Sequence, residues 1–233
     1  MNKATSSCVR TISALCALCF ASLPVSAGLV VGLPPDTGNG NVYPFGGAYS
    51  GDYQQVYTSS LFSGPMVITN LAFYNTQINP GPGTDMNSGT WTISLSTTAA
   101  DWDTLSTTPS ANIGSNNTEV FSGNLYQPWT FPDTLVIDLT TPFDYIPADG
   151  NLLMDVEVTG ASLHGTNILF DTNGLNSGLL NGDTIMGRLY NLGATDFVDH
   201  GYGLVTGFNT VPEPASFALL GAGLVALGLL RRR

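Results

Sequence analysis

Apolar and polar residues alternate with a period of two in several short segments, and this pattern restricts the fold more than any other feature of the sequence. The alternation is clear in residues 67–74, 90–96, 134–139 and 152–158. Successive side chains of a β-strand point to opposite faces, so each segment presents one apolar face to a core. No repeat of helical period extends beyond two turns before residue 212. We therefore expect an all-β body.

Turn-forming sequences separate these segments and indicate how many strands there are. Clusters of Gly, Asn, Asp and Pro occur at residues 80–83, 87–89, 149–150, 173–174 and 181–183. Less regular apolar segments predict further strands at residues 53–59, 120–126, 167–171, 185–190 and 202–208. Nine or ten short strands in one domain predict an antiparallel β-sandwich that is jelly-roll-like.

Polar segments without alternation are expected to lie between the strands. Residues 99–118 and 172–184 are predicted to be long loops, and residues 28–51 either a loose arm or a first strand. Residues 195–200 contain two aspartates beside His200, which suits a metal site or a hydrolytic pair. Because aspartate is common in turns, we interpret this segment as a solvated loop.

The first 27 residues have the composition of a secretory signal peptide. Lys3 and Arg10 precede a mostly apolar stretch of about 15 residues, and small side chains follow at Ser26 and Ala27. The stretch is shorter than the roughly 17–25 residues that a membrane span needs. We expect the secretion machinery to export the chain, with cleavage between Ala27 and Gly28. All three cysteines lie in this segment, so the body at residues 28–210 has none.

Residues 211–233 combine three features at the C-terminal end. Val211, Pro212, Glu213 and Pro214 come first; both prolines restrict the backbone, so this segment is expected to be extended. Sixteen uncharged, mostly apolar residues then predict a transmembrane helix of about 24 Å. The chain ends with a cluster of arginines that stops transfer and stays in the cytoplasm by the positive-inside rule: Arg231, Arg232 and Arg233.

This arrangement resembles the PEP-CTERM sorting signal of exported proteins in Gram-negative bacteria. The resemblance rests on Val211–Pro214, the short apolar helix and the arginine cluster. It implies that exosortase, an integral-membrane transpeptidase, recognises Pro212-Glu213-Pro214 and processes the chain nearby. It also implies a transient inner-membrane anchor with the body in the periplasm, followed by release to the cell surface or exterior. The setting that it implies is a biofilm rich in exopolysaccharide.

The body is strongly acidic. Residues 28–210 hold sixteen of the seventeen acidic residues but a single basic residue, Arg188, so their net charge is about −15. Nucleic-acid binding requires arrays of Lys and Arg and is therefore excluded as a function class. Anionic lipid surfaces are disfavoured for the same reason. This charge favours solubility and could attract divalent cations.

Calcium is the one cofactor for which the body offers candidate ligands. Asp101 and Asp103 flank a tryptophan, and Asp171 and Asn173 precede a glycine, so each pair offers the oxygen ligands that Ca²⁺ prefers. Neither segment completes an EF-hand loop. No other cofactor is expected.

Three hypotheses for the body follow from these observations. The first is a structural or adhesive surface protein, and we expect no enzymatic activity. The second is a carbohydrate-binding module for exopolysaccharide in which Trp102 and Trp129, surrounded by polar residues, stack on sugars, whereas Trp91 is expected in the core. The third is a secreted hydrolase that uses an aspartate pair. Neither a nucleophile-elbow motif nor a zinc-protease motif is present.

Overall fold

The structure is a computed structural model that describes residues 28–33, 35–174 and 184–210. The predicted signal peptide, the expected cleavage after Ala27 and the predicted transmembrane helix in residues 211–233 lie outside these ranges. Within them, strands dominate and all pairings are antiparallel, so the prediction of an all-β antiparallel fold is confirmed. No helix in this part of the chain combines the length and the apolar character needed to cross a bilayer.

Thirteen strands and three short 3-10 helices make up the described part of the chain. The strands are β1 (Leu29–Val31), β2 (Gly40–Asn41), β3 (Gly51–Tyr57), β4 (Met66–Asn75), β5 (Asp85–Thr98), β6 (Thr118–Gly123), β7 (Asp133–Tyr145), β8 (Asn151–His164), β9 (Phe170–Asn173), β10 (Met186–Leu192), β11 (Thr195–His200), β12 (Gly203–Leu204) and β13 (Thr206–Phe208). The 3-10 helices are Ser59–Leu61, Pro109–Ala111 and Pro147–Asp149.

The strands form three sheets. A six-stranded sheet has the order β11-β10-β3-β8-β5-β6, and a four-stranded sheet has the order β1-β13-β4-β7. A small third sheet has the order β12-β9-β2. The first and last strands of the body therefore pair with each other in the four-stranded sheet.

The two larger sheets pack face to face around one hydrophobic core. Tyr57 on β3 meets Phe208 on β13 edge-on, with ring centroids 5.1 Å apart. The Tyr57 hydroxyl also lies 2.9 Å from Thr206 Oγ1, across the same interface. Trp91 is fully buried in this core, as its place in the alternating pattern predicts.

A loop covers the outer face of the six-stranded sheet. Leu105, between β5 and β6, packs in a second small cluster with Val56 and Leu153. Buried Gln54 fixes the loop: its Nε2 donates to Asp155 Oδ1 at 2.9 Å, and its Oε1 accepts from Asn112 Nδ2 at 2.9 Å. Both faces of β3 are therefore buried, and an amide network satisfies the polar groups on the outer one.

Two expectations about loops need correction. Residues 195–200, interpreted as a solvated loop, form β11, because six residues pair in continuous register with β10. Residues 28–51, expected to be a loose arm or a first strand, do contain the first strand, β1, but they also contain β2 and the start of β3. In both places pairing with a strand distant in sequence or across a tight turn overrides the local preference for a turn.

Candidate functional site

The two ends of the body meet at one pole of the sandwich, which we call the terminal pole. β1 pairs with β13 so that Leu29 lies opposite Phe208. A Cβ atom added to Gly28 would lie 3.0 Å from the Thr210 Cα, so backbone fills the space between the two ends. The predicted processing residues Val211–Pro214 and the arginines 231–233 lie outside the described residues. They continue the chain from this pole.

Asn209 fixes the chain just before it leaves the terminal pole. Its φ of 54° is in the left-handed region, which asparagine tolerates better than most residues. Its Oδ1 accepts hydrogen bonds from the Thr69 backbone N–H at 2.7 Å and from Thr69 Oγ1 at 3.1 Å. Its Nδ2 donates to the Val67 carbonyl at 2.6 Å. One side chain thus attaches the exit segment to β4.

A groove of about 810 Å³ adjoins the terminal pole, and Asp133 and Asp171 are among its lining residues. Asp171 accepts from the Thr76 N–H at 2.9 Å, from Thr76 Oγ1 at 2.6 Å and from the Gln77 N–H at 3.2 Å. Asp133 accepts from the Thr130 and Thr134 N–H groups at 3.0 and 2.8 Å. Both carboxylates therefore fix nearby backbone through hydrogen bonds, and this role accounts for their place beside the groove.

The four predicted calcium ligands fall into two places. Asp101 and Asp103 lie in the turn after β5, where Asp101 Oδ1 accepts from the Trp102 N–H at 2.8 Å. Asp171 and Asn173 are buried on β9. In residues 28–33, 35–174 and 184–210, no three His, Cys, Asp or Glu side chains come together as a metal-ligand group. Calcium binding stays a prediction.

The two tryptophans proposed to stack on sugars have different environments. Trp129 is buried at 8% exposure, which contradicts the expectation that it is free. Its Nε1 donates to Asn75 Oδ1 at 3.1 Å, and its ring packs edge-on against Phe170 at 5.5 Å. Trp102 is half-buried, and its carbonyl accepts a hydrogen bond from His200 Nδ1 at 3.2 Å. Trp129 is therefore removed as a candidate sugar-binding residue.

The single basic side chain of the body sits in an aromatic and acidic pocket that the sequence pattern did not predict. Arg188 on β10 donates to Asp199 on β11, with Nη2–Oδ2 at 2.8 Å and Nε–Oδ2 at 2.9 Å. Its guanidinium carbon lies 4.5 Å from the Tyr190 ring centroid and 4.2 Å from that of Tyr202. Such cation–π contacts strengthen when they are desolvated, and Arg188 is 1% exposed.

An aromatic row continues outward from this pocket. Tyr190 stacks nearly parallel on Phe197, with centroids 5.4 Å apart and planes 19° apart. Tyr190 also stacks on Tyr43, with ring centroids 5.2 Å apart and planes 15° apart. Phe197 is 40% exposed, so the row ends at the surface. Sequence spacing could have suggested the pair, because Tyr190 and Phe197 flank a tight hairpin, but Tyr43 comes from a distant segment.

Several carboxylates share the outer face of the six-stranded sheet. Asp52 on β3 is directly opposite Glu157 on β8, and Asp155 is two residues away on the same strand. Desolvation raises the pKa of Asp52, and repulsion from Glu157 and Asp196 raises it further. Burial likewise raises the pKa of Asp155, although the hydrogen bond from Gln54 opposes the shift. The carboxyl groups of Asp52 and Asp155 therefore hold a proton more readily than a free aspartate does.

The segment that follows the terminal pole matches a known protein-family motif. The PEP-CTERM protein-sorting motif matches residues 210–233, which begin at the last described residue, Thr210. Comparison with the curated proteins and with the solved structures gives no match. The motif supports export and sorting by exosortase, with membrane anchoring before processing. The chain therefore carries a PEP-CTERM protein-sorting motif at residues 210–233.

Proposed function

We propose that this exosortase-sorted, exported protein places its β-sandwich outside the cell as a structural or adhesive module. The observation that supports the proposal is the position of the PEP-CTERM motif directly after a closed domain whose two ends meet at the terminal pole. A domain attached through one pole leaves the rest of its surface available. The strong negative charge keeps copies of the module apart in solution.

Processing at both ends is the first experimental test. Intact mass spectrometry of the protein from its host should give a product that begins at Gly28 and has lost Arg231, Arg232 and Arg233. The same measurement in an exosortase-deficient strain should give a product that retains the arginines and stays with the membrane.

The motif itself can be tested with a matched pair of substitutions. Glu213→Gln removes one charge from the Pro-Glu-Pro sequence and should cause the unprocessed form to accumulate in the membrane fraction. Glu119→Gln makes the same chemical change at an exposed position of β6 and should be processed normally. A native product found outside the cell with all three arginines, or one confined to the cytosol, contradicts the proposal.

The role of the body is tested separately from its sorting. A structural or adhesive module should remain with the washed cell surface or extracellular matrix, and cells without it should lose cohesion. If the processed protein is instead freely soluble in the medium, and cohesion is unchanged in its absence, the structural and adhesive role is wrong even though sorting is correct.

A further inference from the structure

The inner face of the β10–β11 hairpin is open at its tip. Along β10, exposure rises from 1% at Arg188, through half-buried Tyr190, to 47% at Leu192. Tyr190 lies opposite Phe197 and Leu192 opposite Thr195, so these side chains share one face of the hairpin. We call Tyr43, Tyr190, Leu192 and Phe197 the hairpin platform.

The rings of the hairpin platform are held in place without any ligand. Tyr190 is stacked between Tyr43 and Phe197, and Arg188 contacts the same ring from the pocket beneath it. Tyr43 in turn packs against buried Tyr49 at 4.8 Å. Because few rotamers remain to be frozen, little conformational entropy is lost when a ligand contacts this surface.

We propose that the hairpin platform binds a neutral saccharide, whose apolar C–H face packs on Phe197 and Leu192. A pyranose ring combines one apolar face with hydroxyl groups around its edge, and the platform combines an exposed aromatic ring with the Thr195 hydroxyl beside it on the same face. The inference deepens the proposed adhesive function and rests on it for its biological context, because only a module displayed outside the cell would meet an extracellular polysaccharide.

Charge and size argue against other occupants. The body has a net charge of about −15 and therefore repels anionic ligands, including nucleic acid, acidic polysaccharide and anionic lipid. It also repels a second copy of itself. A stable protein partner buries about 800 Å² on each side, whereas the exposed part of the platform consists of little more than Leu192 and Phe197. A neutral ligand of the size of a few sugar rings fits both limits.

The test is binding of the purified full-length chain, in mild detergent, to dextran, laminarin and galactomannan as neutral polymers and to dextran sulfate as an anionic one. Affinity electrophoresis and calorimetry should show saturable binding to at least one neutral polymer and none to dextran sulfate. Phe197→Ala should weaken this binding about tenfold. Leu192→Ala, at the hairpin tip, should weaken it as well and serves as a second variant if Phe197→Ala is poorly folded.

Tyr126→Ala is the matched control, because Tyr126 is 48% exposed but packs beside His164, away from the hairpin. Its binding should equal that of the unsubstituted chain, and circular dichroism should verify that each variant is folded.

The inference is overturned if the chain binds none of the neutral polymers, or if both platform variants bind as well as the control. It is also overturned if sedimentation shows that Phe197→Ala dissociates a dimer. Failed processing in the mass measurement would leave these binding results unaffected, so the two proposals are distinguished.

Discussion

Asp52 on β3 and Glu157 on β8 face each other as direct partners across two hydrogen-bonded strands. Like charges in this position repel, and no lysine or arginine lies on the described part of this sheet face, since Arg188 pairs with Gln55 and is buried on the other side. The acidic outer face therefore reduces the stability of the sheet that carries it.

Asp52→Asn should stabilise the protein, because the substitution removes the repulsion and keeps the side-chain shape. We expect the free energy of unfolding to rise by about 0.5 kcal/mol, within the range for cross-strand pairs. Urea denaturation of the two proteins measures the difference. Asp138→Asn is the control, since Asp138 faces the neutral side chain of Asn70. Equal effects of the two substitutions would show that the Asp52–Glu157 pair has no specific role.

The same carboxylates give a pH dependence with a defined sign. Asp52 and Asp155 have raised pKa values in the folded protein, so the folded chain holds protons at a pH where the unfolded chain has released them. The stability from these groups is present at acidic pH. It is lost as the pH rises from the ordinary aspartate range through the raised pKa values. Unfolding free energies measured against pH should fall less steeply in Asp52→Asn than in the unsubstituted protein, and parallel curves would contradict this assignment.

Removal of the buried cation should be strongly destabilising. Arg188→Met leaves Asp199 without the ion pair and removes two cation–π contacts, so we expect a loss of about 3–5 kcal/mol. The double variant Arg188→Met/Asp199→Asn should lose less than Arg188→Met alone, because no unpaired charge remains near the core. Chemical denaturation of the set forms a double-mutant cycle. A double variant that loses the sum of the two single effects would show that the pair is not coupled.

Asn209 should be the most sensitive residue of the exit segment. Asn209→Gly keeps the left-handed backbone but loses the three side-chain hydrogen bonds to Val67 and Thr69. Asn209→Ala loses the same hydrogen bonds, and alanine in addition disfavours the left-handed conformation. It should therefore lower the free energy of unfolding by about 1 kcal/mol more than Asn209→Gly does. Hydrogen exchange of the β13 amides measures the local effect. If the β13 amides exchange equally slowly in the alanine and glycine variants, the tolerance of asparagine for the left-handed conformation does not contribute to stability here.

Local patterns predicted much of the fold, but the sites that depend on distant segments escaped them. The period-two segments became β4, β5, β7 and β8 because each has one face in the core. The prediction that Trp129 is free is wrong because nearby Gln127 and Thr130 are polar, whereas its partners in the fold, Asn75 and Phe170, come from β4 and β9.

The sorting motif and the Arg188 pocket illustrate the same contrast for function. The motif is contiguous in sequence, so its residue types and order were enough to identify it. Arg188 was visible as the single cation of the body, but its role depends on Tyr202 and on the pairing that brings Asp199 opposite it. A strand rich in aspartate resembles a turn until its partner strand is known.

The pairing of β1 with β13 sets a time order for folding during export. Residues 29–31 are synthesised early, yet their partner strand is complete only once residue 208 has emerged. Until then, β1 has no neighbour in its sheet, and a chain truncated before residue 206 would leave the β4 edge bare. The strand pairing that completes this sheet therefore requires residues 206–208, which come directly before the segment that carries the sorting motif.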